Sequence, residues 1–297
     1  MNTQEILQKI DQIKNNCTIS MKLINKQGTQ YSFLDTNLST DIQNELKEFI
    51  LPRITTIINE NSLEPFNPTG KKDETIEFIK VQEVTTFSDF LDCYTDSINF
   101  VEKISQLKTI NSYLIHIIGA NGTELKIFRK YSKSKSLSQG LRYKLTDHTF
   151  DKLKDQIFII DETIDFIVIN DEDIIIMNRY AFEVITNYRD NYTETLNTAL
   201  NLIEQSKLID NFEQFKEDCC NSMRIAKQFT RAMKQNSIAI INDNPDLVSQ
   251  AIIEAELPIA FINNKFQYES REQLSILVAL LSDEYAKTLI TKKIHQI

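Results

Sequence analysis

Basic side chains are concentrated between residues 125 and 146, where seven lysines and arginines occur without a single acidic residue. These cations are Lys126, Arg129, Lys130, Lys133, Lys135, Arg142 and Lys144. Phe128, Tyr131 and Tyr143 lie between them, and four serines add hydroxyl groups that can reach phosphate oxygens. This pattern is typical of a groove that binds nucleic acid. The alternative is a solvated hairpin edge, where lysines block pairing with a further strand.

A second group of basic residues lies on a predicted amphipathic helix within residues 221–234. Arg224, Lys227, Arg231 and Lys234 follow one another at spacings of three, four and three, which places them on one helix face. The other face carries the apolar residues Ile225, Ala226, Phe229, Ala232 and Met233. We therefore expect one face to pack and the other to be positive and able to bind phosphates. The alternative is a face that serves solubility alone.

Enzyme motifs are incomplete in this chain. The spacing Glu124-x-Lys126 occurs in metal-dependent nucleases, but the preceding predicted strand, residues 113–118, has no acidic residue to complete a metal pair. The segment Pro68–Lys72 lacks the first glycine of a phosphate loop and the Ser or Thr that would bind magnesium. The four cysteines and three histidines have no metal-ligand spacing. The sequence predicts no catalytic residue, metal site or cofactor, and a nuclease stays open as an alternative.

The elements before the first basic run predict a mixed domain. Ile6, Ile10 and Ile13 have helical spacing. An Asn-Gly turn at residues 121 and 122 predicts a hairpin, since this pair favours tight β-turns. The predicted strands are residues 21–25, 30–34, 75–81, 113–118 and 124–131, and the predicted helices are residues 40–57 and 88–107.

Three apolar runs separated by acidic turns follow, at Ile157–Ile160, Phe166–Ile169 and Ile174–Met177. They predict a three-stranded β-meander. Asn178 suits a helix N-cap. One face of the helix after it would carry Ala181, Val184, Ile185 and Tyr188. The predicted fold class is α+β: an N-terminal mixed strand and helix domain, 1–150, and a second domain, 151–297, with the meander followed by helices.

The order of these parts resembles a known family. Ile164-Asp165 among the strands, then Asn178, then the Phe182-Glu183 pair, lead into a helix-rich tail with spaced basic residues. This order resembles the KwaB family, the cytosolic partner in the Kiwa anti-phage system. The resemblance extends from about Gln156 to the C-terminus.

The resemblance implies a bacterial defence protein that binds double-stranded phage DNA without cleaving it and hinders phage replication and late expression. It also implies a KwaA-like membrane protein as partner, recruitment to the inner face of the cell membrane, and a homodimer or larger homo-oligomer. Two alternatives remain open. One is a metal-dependent nuclease that Glu124→Gln would abolish, and the other is a scaffold for acidic proteins or anionic lipid headgroups.

Length, composition and charge narrow the functions and locations that we expect for the chain. With 297 residues, 41% of them hydrophobic, the chain can form two domains of ordinary size. No apolar run approaches the ~18 to 20 residues that a membrane helix needs, and the first residues lack the apolar centre of a signal peptide. We therefore expect a cytoplasmic protein. Its net charge of −9 means that DNA can bind only where basic side chains are concentrated.

Overall fold

The structure, a computed structural model, describes residues 2–14, 16–70, 73–96, 99–101, 109–131, 143–146, 149–152, 158–220, 222–287 and 294–296. Internal contacts divide the chain into two compact units. The first comprises Met1–Phe66 and Lys72–Tyr188, and the second comprises Asn67–Lys71 and Arg189–Ile297. The predicted class, strands and helices followed by a helical C-terminal region, is confirmed.

An eight-stranded sheet forms the first unit. Its strands are β1 Cys17–Gln27, β2 Gln30–Thr36, β3 Ser62–Pro65, β4 Thr75–Lys80, β5 Ser112–Gly119, β6 Glu124–Lys130, β9 Phe166–Ile169 and β10 Asp173–Ile176. Their order is β2-β1-β5-β6-β9-β10-β4-β3, and every pair except β3–β4 is antiparallel. A separate two-stranded sheet consists of β7 Tyr143–Thr146 and β8 Thr149–Lys152. Short hairpin turns explain the neighbouring pairs β1–β2, β5–β6 and β9–β10.

The predicted meander is corrected to a hairpin. β9 and β10 pair as expected, but the described residues of the first apolar run, Phe158–Ile160, are not in a strand. The reason is that β6 already pairs with the other edge of β9, and β4 pairs with the other edge of β10. Phe158 instead stacks on Tyr131 with ring centroids 4.9 Å apart. The sequence predicted a division near residue 150, whereas this hairpin, which follows it, lies inside the sheet of the first unit.

Helices cover both faces of this sheet. They are α1 Thr3–Ile13, α2 Thr40–Glu60, α3 Thr85–Asp96 and α4 Arg179–Ile185. The predicted apolar face of α1 is buried, and it shares a core with α2 and with Ile115 and Ile117 of β5. Side chains alternate across a strand, so His116 lies on the opposite face, where it contacts Tyr94 of α3. Asn178 caps α4 as predicted, since its side chain accepts a hydrogen bond from the Ala181 N–H.

The second unit is mainly helical. Its helices are α5 Tyr188–Ser206, α6 Phe212–Cys220, α7 Met223–Gln235, α8 Ser237–Asp243, α9 Pro245–Glu254 and α10 Leu274–Leu281. Its short strands are β11 Ile209–Asp210, β12 Phe261–Ile262, β13 Lys265–Gln267, β14 Tyr285–Lys287 and β15 Ile294–Gln296. Phe215 lies at the centre of an aromatic core, 5.3 Å from the Tyr268 ring and 6.5 Å from the Phe229 ring. That core fixes the buried side of α7. None of the helices in the described ranges is long and apolar enough to cross a membrane.

Candidate nucleic-acid interface

The predicted basic helix is α7, and both of its ends are defined by capping contacts. The Ser222 hydroxyl accepts a hydrogen bond from the Ile225 N–H at the start. At the end, Asn236 adopts a left-handed conformation with φ of 55°, and its N–H donates to the carbonyl oxygens of Ala232 and Met233. The helix therefore begins and ends close to its predicted bounds.

The two faces of α7 have the predicted character. Its apolar face is buried through Ile225, Ala226, Phe229 and Ala232. On the basic face, Arg224 and Lys234 are exposed, whereas Lys227 and Arg231 are half-buried. The helix thus presents a row of four cations at one surface of the second unit. We call this row the α7 basic face.

The two middle cations are held in place by packing. The ammonium of Lys227 lies 4.9 Å from the centre of the Tyr192 ring, a cation–π distance. Nη1 of Arg231 lies 3.9 Å from Oε1 of Glu284. Within the described residues, Arg224 forms no ion pair. The α7 basic face therefore combines ordered cations at its centre with exposed ones at its ends.

A cavity of about 560 Å³ opens beside this face in the second unit. Arg224, Lys227 and Arg231 line it together with two buried polar residues, Gln228 and Glu284. Nε2 of Gln228 donates a hydrogen bond of 2.7 Å to Oε2 of Glu284. Three cations therefore face a floor made of an amide and a carboxylate.

The segment Asn67–Gly70, which the contacts assign to the second unit, also lines the cavity. The N–H and the hydroxyl of Thr69 both donate to Oδ1 of Asn67, at 3.2 and 2.9 Å, which closes a tight turn. The sequence contained a partial indication of phosphate binding in this segment, because it overlaps the incomplete phosphate-loop motif Pro68–Lys72. Nothing in the spacing could show that it meets a helix more than 150 residues further along the chain.

The first basic run is arranged differently. Lys126 is only 4% exposed, and its ammonium lies 2.6 Å from Oδ1 of Asp171 and 3.5 Å from Oε2 of Glu124. Arg129 donates two hydrogen bonds to Asp161, at 2.9 and 3.0 Å, and two more to Asp165 at 3.2 Å. Burial alone would lower the pKa of Arg129, but the charges and hydrogen bonds of Asp161 and Asp165 have the larger effect and raise that pKa. Both cations are therefore matched by acids of the same unit.

The remaining cations of the first run have other placements. Lys130 is half-buried, and its ammonium lies 4.2 Å from the centre of the Tyr180 ring. Lys144 lies in β7, which pairs with β8. Lys133, Lys135 and Arg142 lie outside the described residues. As DNA contacts, all of these residues stay predictions.

Glu124 and Lys126, on which the nuclease alternative rests, lie in a polar network with His116 of β5 and Tyr94 of α3. The Tyr94 hydroxyl lies 2.7 Å from Nδ1 of His116, whose Nε2 is 3.4 Å from Oε2 of Glu124. Burial, and then the nearby charge of Lys126, lower the pKa of His116. Burial also raises the pKa of Tyr94. In the described ranges, no three His, Cys, Asp or Glu residues are grouped so that they could hold a metal ion.

Comparison with known proteins identifies the family. The family model described as Kiwa protein KwaB-like matches residues 107–291, which is more than half of the chain. The match begins earlier than the predicted resemblance and includes β5, β6, the β9–β10 hairpin and the whole of α7. No curated protein and no solved structure matches the chain. The chain therefore belongs to the KwaB-like family of Kiwa anti-phage defence proteins.

Proposed function

We propose that this protein is a non-catalytic effector that binds the phosphate backbone of phage double-stranded DNA through the α7 basic face. By occupying the DNA, it hinders phage replication and late expression, together with a KwaA-like membrane protein that recruits it to the inner face of the cell membrane. One observation carries the proposal: four cations lie on one face of a single helix.

The length of this face suits a DNA backbone. Arg224 and Lys234 are ten residues apart, which corresponds to about 15 Å of α-helix at ~1.5 Å per residue. One DNA strand places a phosphate about every 3.4 Å along the helix axis. The four cations therefore extend over about four phosphates. Contacts of this kind neutralise charge without reading bases, so we expect little sequence preference.

The first basic run and the α7 basic face differ in how far their positive charges are already neutralised by carboxylates of the protein. Lys126 and Arg129 are already compensated by Asp171, Asp161 and Asp165. On α7, Arg224 forms no ion pair with the described residues, and the contact between Arg231 and Glu284 is long, at 3.9 Å. Replacing an internal carboxylate by a phosphate would gain little, whereas Arg224 and Arg231 of α7 can release condensed counterions from DNA. This difference favours α7 as the principal contact.

The test is a salt series of duplex-DNA binding, measured by fluorescence anisotropy, with the triple variant Arg224→Gln, Lys227→Gln and Arg231→Gln. Each lost phosphate contact should lower the slope of log affinity against log salt by about 0.9, so the triple variant should lose about 2.7. Neutral glutamine is chosen because a glutamate at 231 would face Glu284.

The matched control is Arg189→Gln, Lys265→Gln and Arg271→Gln, which removes the same charge from the second unit but not from α7. If only the total charge matters, both triple variants lose affinity and slope equally. In that case the α7 basic face is not the interface. Circular dichroism of both variants checks that each remains folded.

Two outcomes would replace the proposal with one of its alternatives. Cleavage of the DNA when magnesium is added, abolished by Glu124→Gln, would indicate a nuclease. Absence of DNA binding even at low salt, with retention on acidic protein or anionic vesicles, would indicate a scaffold. Product lengths are therefore read on a gel from the same binding reactions.

A further inference from the structure

The cavity beside α7 is more than a part of a flat phosphate-binding surface. Its volume of about 560 Å³ lies within the ~300 to 1,000 Å³ that is usual for sites that enclose a small ligand. A DNA backbone that passes over a helix face needs a shallow groove and leaves such a cavity unfilled. The cavity therefore has room for a ligand group that enters it.

The charge of the lining indicates which group this is. Arg224, Lys227 and Arg231 stand against the one carboxylate of Glu284, so two positive charges are in excess. A phosphodiester within a strand carries one negative charge, whereas a phosphate monoester carries about −1.5 to −2 at pH 7. The arginine guanidinium groups can each bind two phosphate oxygens, and the lysine acts as a point charge. The lining thus matches a monoester better than a diester.

The floor of the cavity indicates what the phosphate is attached to. Gln228 and Glu284 are 7% and 4% exposed and are hydrogen-bonded to each other. A carboxylate has about four lone-pair sites, so it can accept further hydrogen bonds from a hydroxyl or an amino group. A sugar hydroxyl and the amino group of a base are such donors. The turn at Asn67–Gly70 adds the polar side chains of Asn67 and Thr69 to the lining.

We propose that this cavity binds a single nucleotide that carries a phosphate monoester, with the phosphate on Arg224, Lys227 and Arg231 and the sugar or base against Gln228 and Glu284. The chemistry is shared by the 5′-phosphorylated end of a DNA strand and by a free nucleoside monophosphate. In the first case the inference rests on the proposed function, and it makes α7 a reader of DNA ends as well as of backbone.

The test compares three DNA ligands of equal sequence: a duplex with 5′-phosphate ends, the same duplex with 5′-hydroxyl ends, and a closed circle. Charge-assisted hydrogen bonds to a buried phosphate predict at least a tenfold preference for phosphorylated ends. Isothermal titration with deoxyadenosine 5′-monophosphate tests the free nucleotide. Competition of this nucleotide with the phosphorylated duplex shows whether the two share the cavity.

The variant is Thr69→Glu, which adds a carboxylate to the cavity wall from an exposed turn and spares the α7 cations. Its matched control is Thr198→Glu, the same change at an exposed position of α5 outside the lining. We expect Thr69→Glu to abolish the end preference and to lower affinity for the closed circle by no more than the one phosphate contact that the new carboxylate could offset. Thr198→Glu should leave both unchanged.

The outcomes separate this inference from the proposed function. Equal affinity for both kinds of end, with no nucleotide binding and with the closed circle still bound, overturns the cavity inference and leaves the proposed function in place. Binding of free nucleotide without binding of any DNA keeps the cavity inference and overturns the proposed function. A preference for phosphorylated ends that Thr69→Glu does not reduce also overturns the cavity inference.

Discussion

At the scale of single residues, Asp165 has the most demanding environment in the first unit. It is completely buried, and its carboxylate accepts hydrogen bonds from the Lys130 N–H at 2.6 Å and from the Asn178 amide at 2.8 Å, besides those from Arg129. It therefore joins the end of β6 to the start of α4. A buried charge of this kind is tolerated only when its partners satisfy it.

We predict that Asp165→Asn lowers the free energy of unfolding by about 2–4 kcal/mol, because an amide turns one acceptor into a donor and leaves buried donors unpaired. The matched control is Asp161→Asn, which changes the other carboxylate of Arg129. That side chain is 49% exposed, so the loss should stay below about 1 kcal/mol. Urea unfolding of both variants gives the comparison. Equal losses would show that the pair with Arg129, and not the burial, determines the cost.

His116 gives the fold a dependence on pH. Tyr94 of α3, Glu124 and Lys126 of β6, and Asp171 of the β9–β10 turn surround its ring. Burial and Lys126 lower its pKa below the ordinary value of about 6.5, so the unfolded chain binds the proton more readily than the folded one. The stability of the fold should therefore be greatest above about pH 6.5 and should decrease as the pH is lowered below that value.

The expected size of this effect can be bounded. When the pH is lowered from 7.5 to 5.5, the free energy of unfolding of the wild-type protein should fall by up to about 1.4 kcal/mol more than that of the variant His116→Asn, whose side chain does not titrate. The other histidines are present in both proteins and cancel in the difference. Urea unfolding at the two pH values measures it. A difference that does not change with pH would mean that folding leaves the pKa of His116 at its unfolded value.

At the scale of elements, local patterns predict helices and tight hairpins well in this chain. Residues 221–234 have a clear helical period and a serine at the start, and α7 follows that pattern. The Asn-Gly turn at 121 and 122 joins β5 to β6, with Gly122 at φ of 83°. Both signals arise from residues close in sequence, so they do not depend on the rest of the fold.

Local patterns do not identify partners that are distant in sequence. Phe158–Ile160 has strand composition but no free strand edge to pair with, because β6 and β4 occupy both sides of the β9–β10 hairpin. Likewise, a charge run is visible in the sequence, but the acids that neutralise Lys126 and Arg129 come from segments 32–45 residues away. The periodicity of apolar side chains predicts a strand or the buried face of an element, but it does not predict which other segment that strand or face will contact.

At the scale of the whole molecule, an overall charge of −9 opposes binding to DNA. Four cations on one α7 helix predict a salt slope of about −3.6, which corresponds to a loss of about 10²-fold in affinity between 50 and 200 mM salt. Such a contact would be weak for the proposed effector, which would have to compete with replication proteins. The predicted homodimer would remove this weakness, because two copies of α7 could engage the same duplex.

This gives a prediction that separates monomer from dimer. If both α7 faces of a dimer contact DNA, eight cations are engaged and the slope should approach about −7, with a loss of about 10⁴-fold over the same salt range. Analytical ultracentrifugation at the concentrations of the binding assay gives the mass of the bound species. A dimer with a slope near −3.6 would show that only one α7 reaches the DNA, and a monomer with that slope would leave the effector dependent on its membrane partner for avidity.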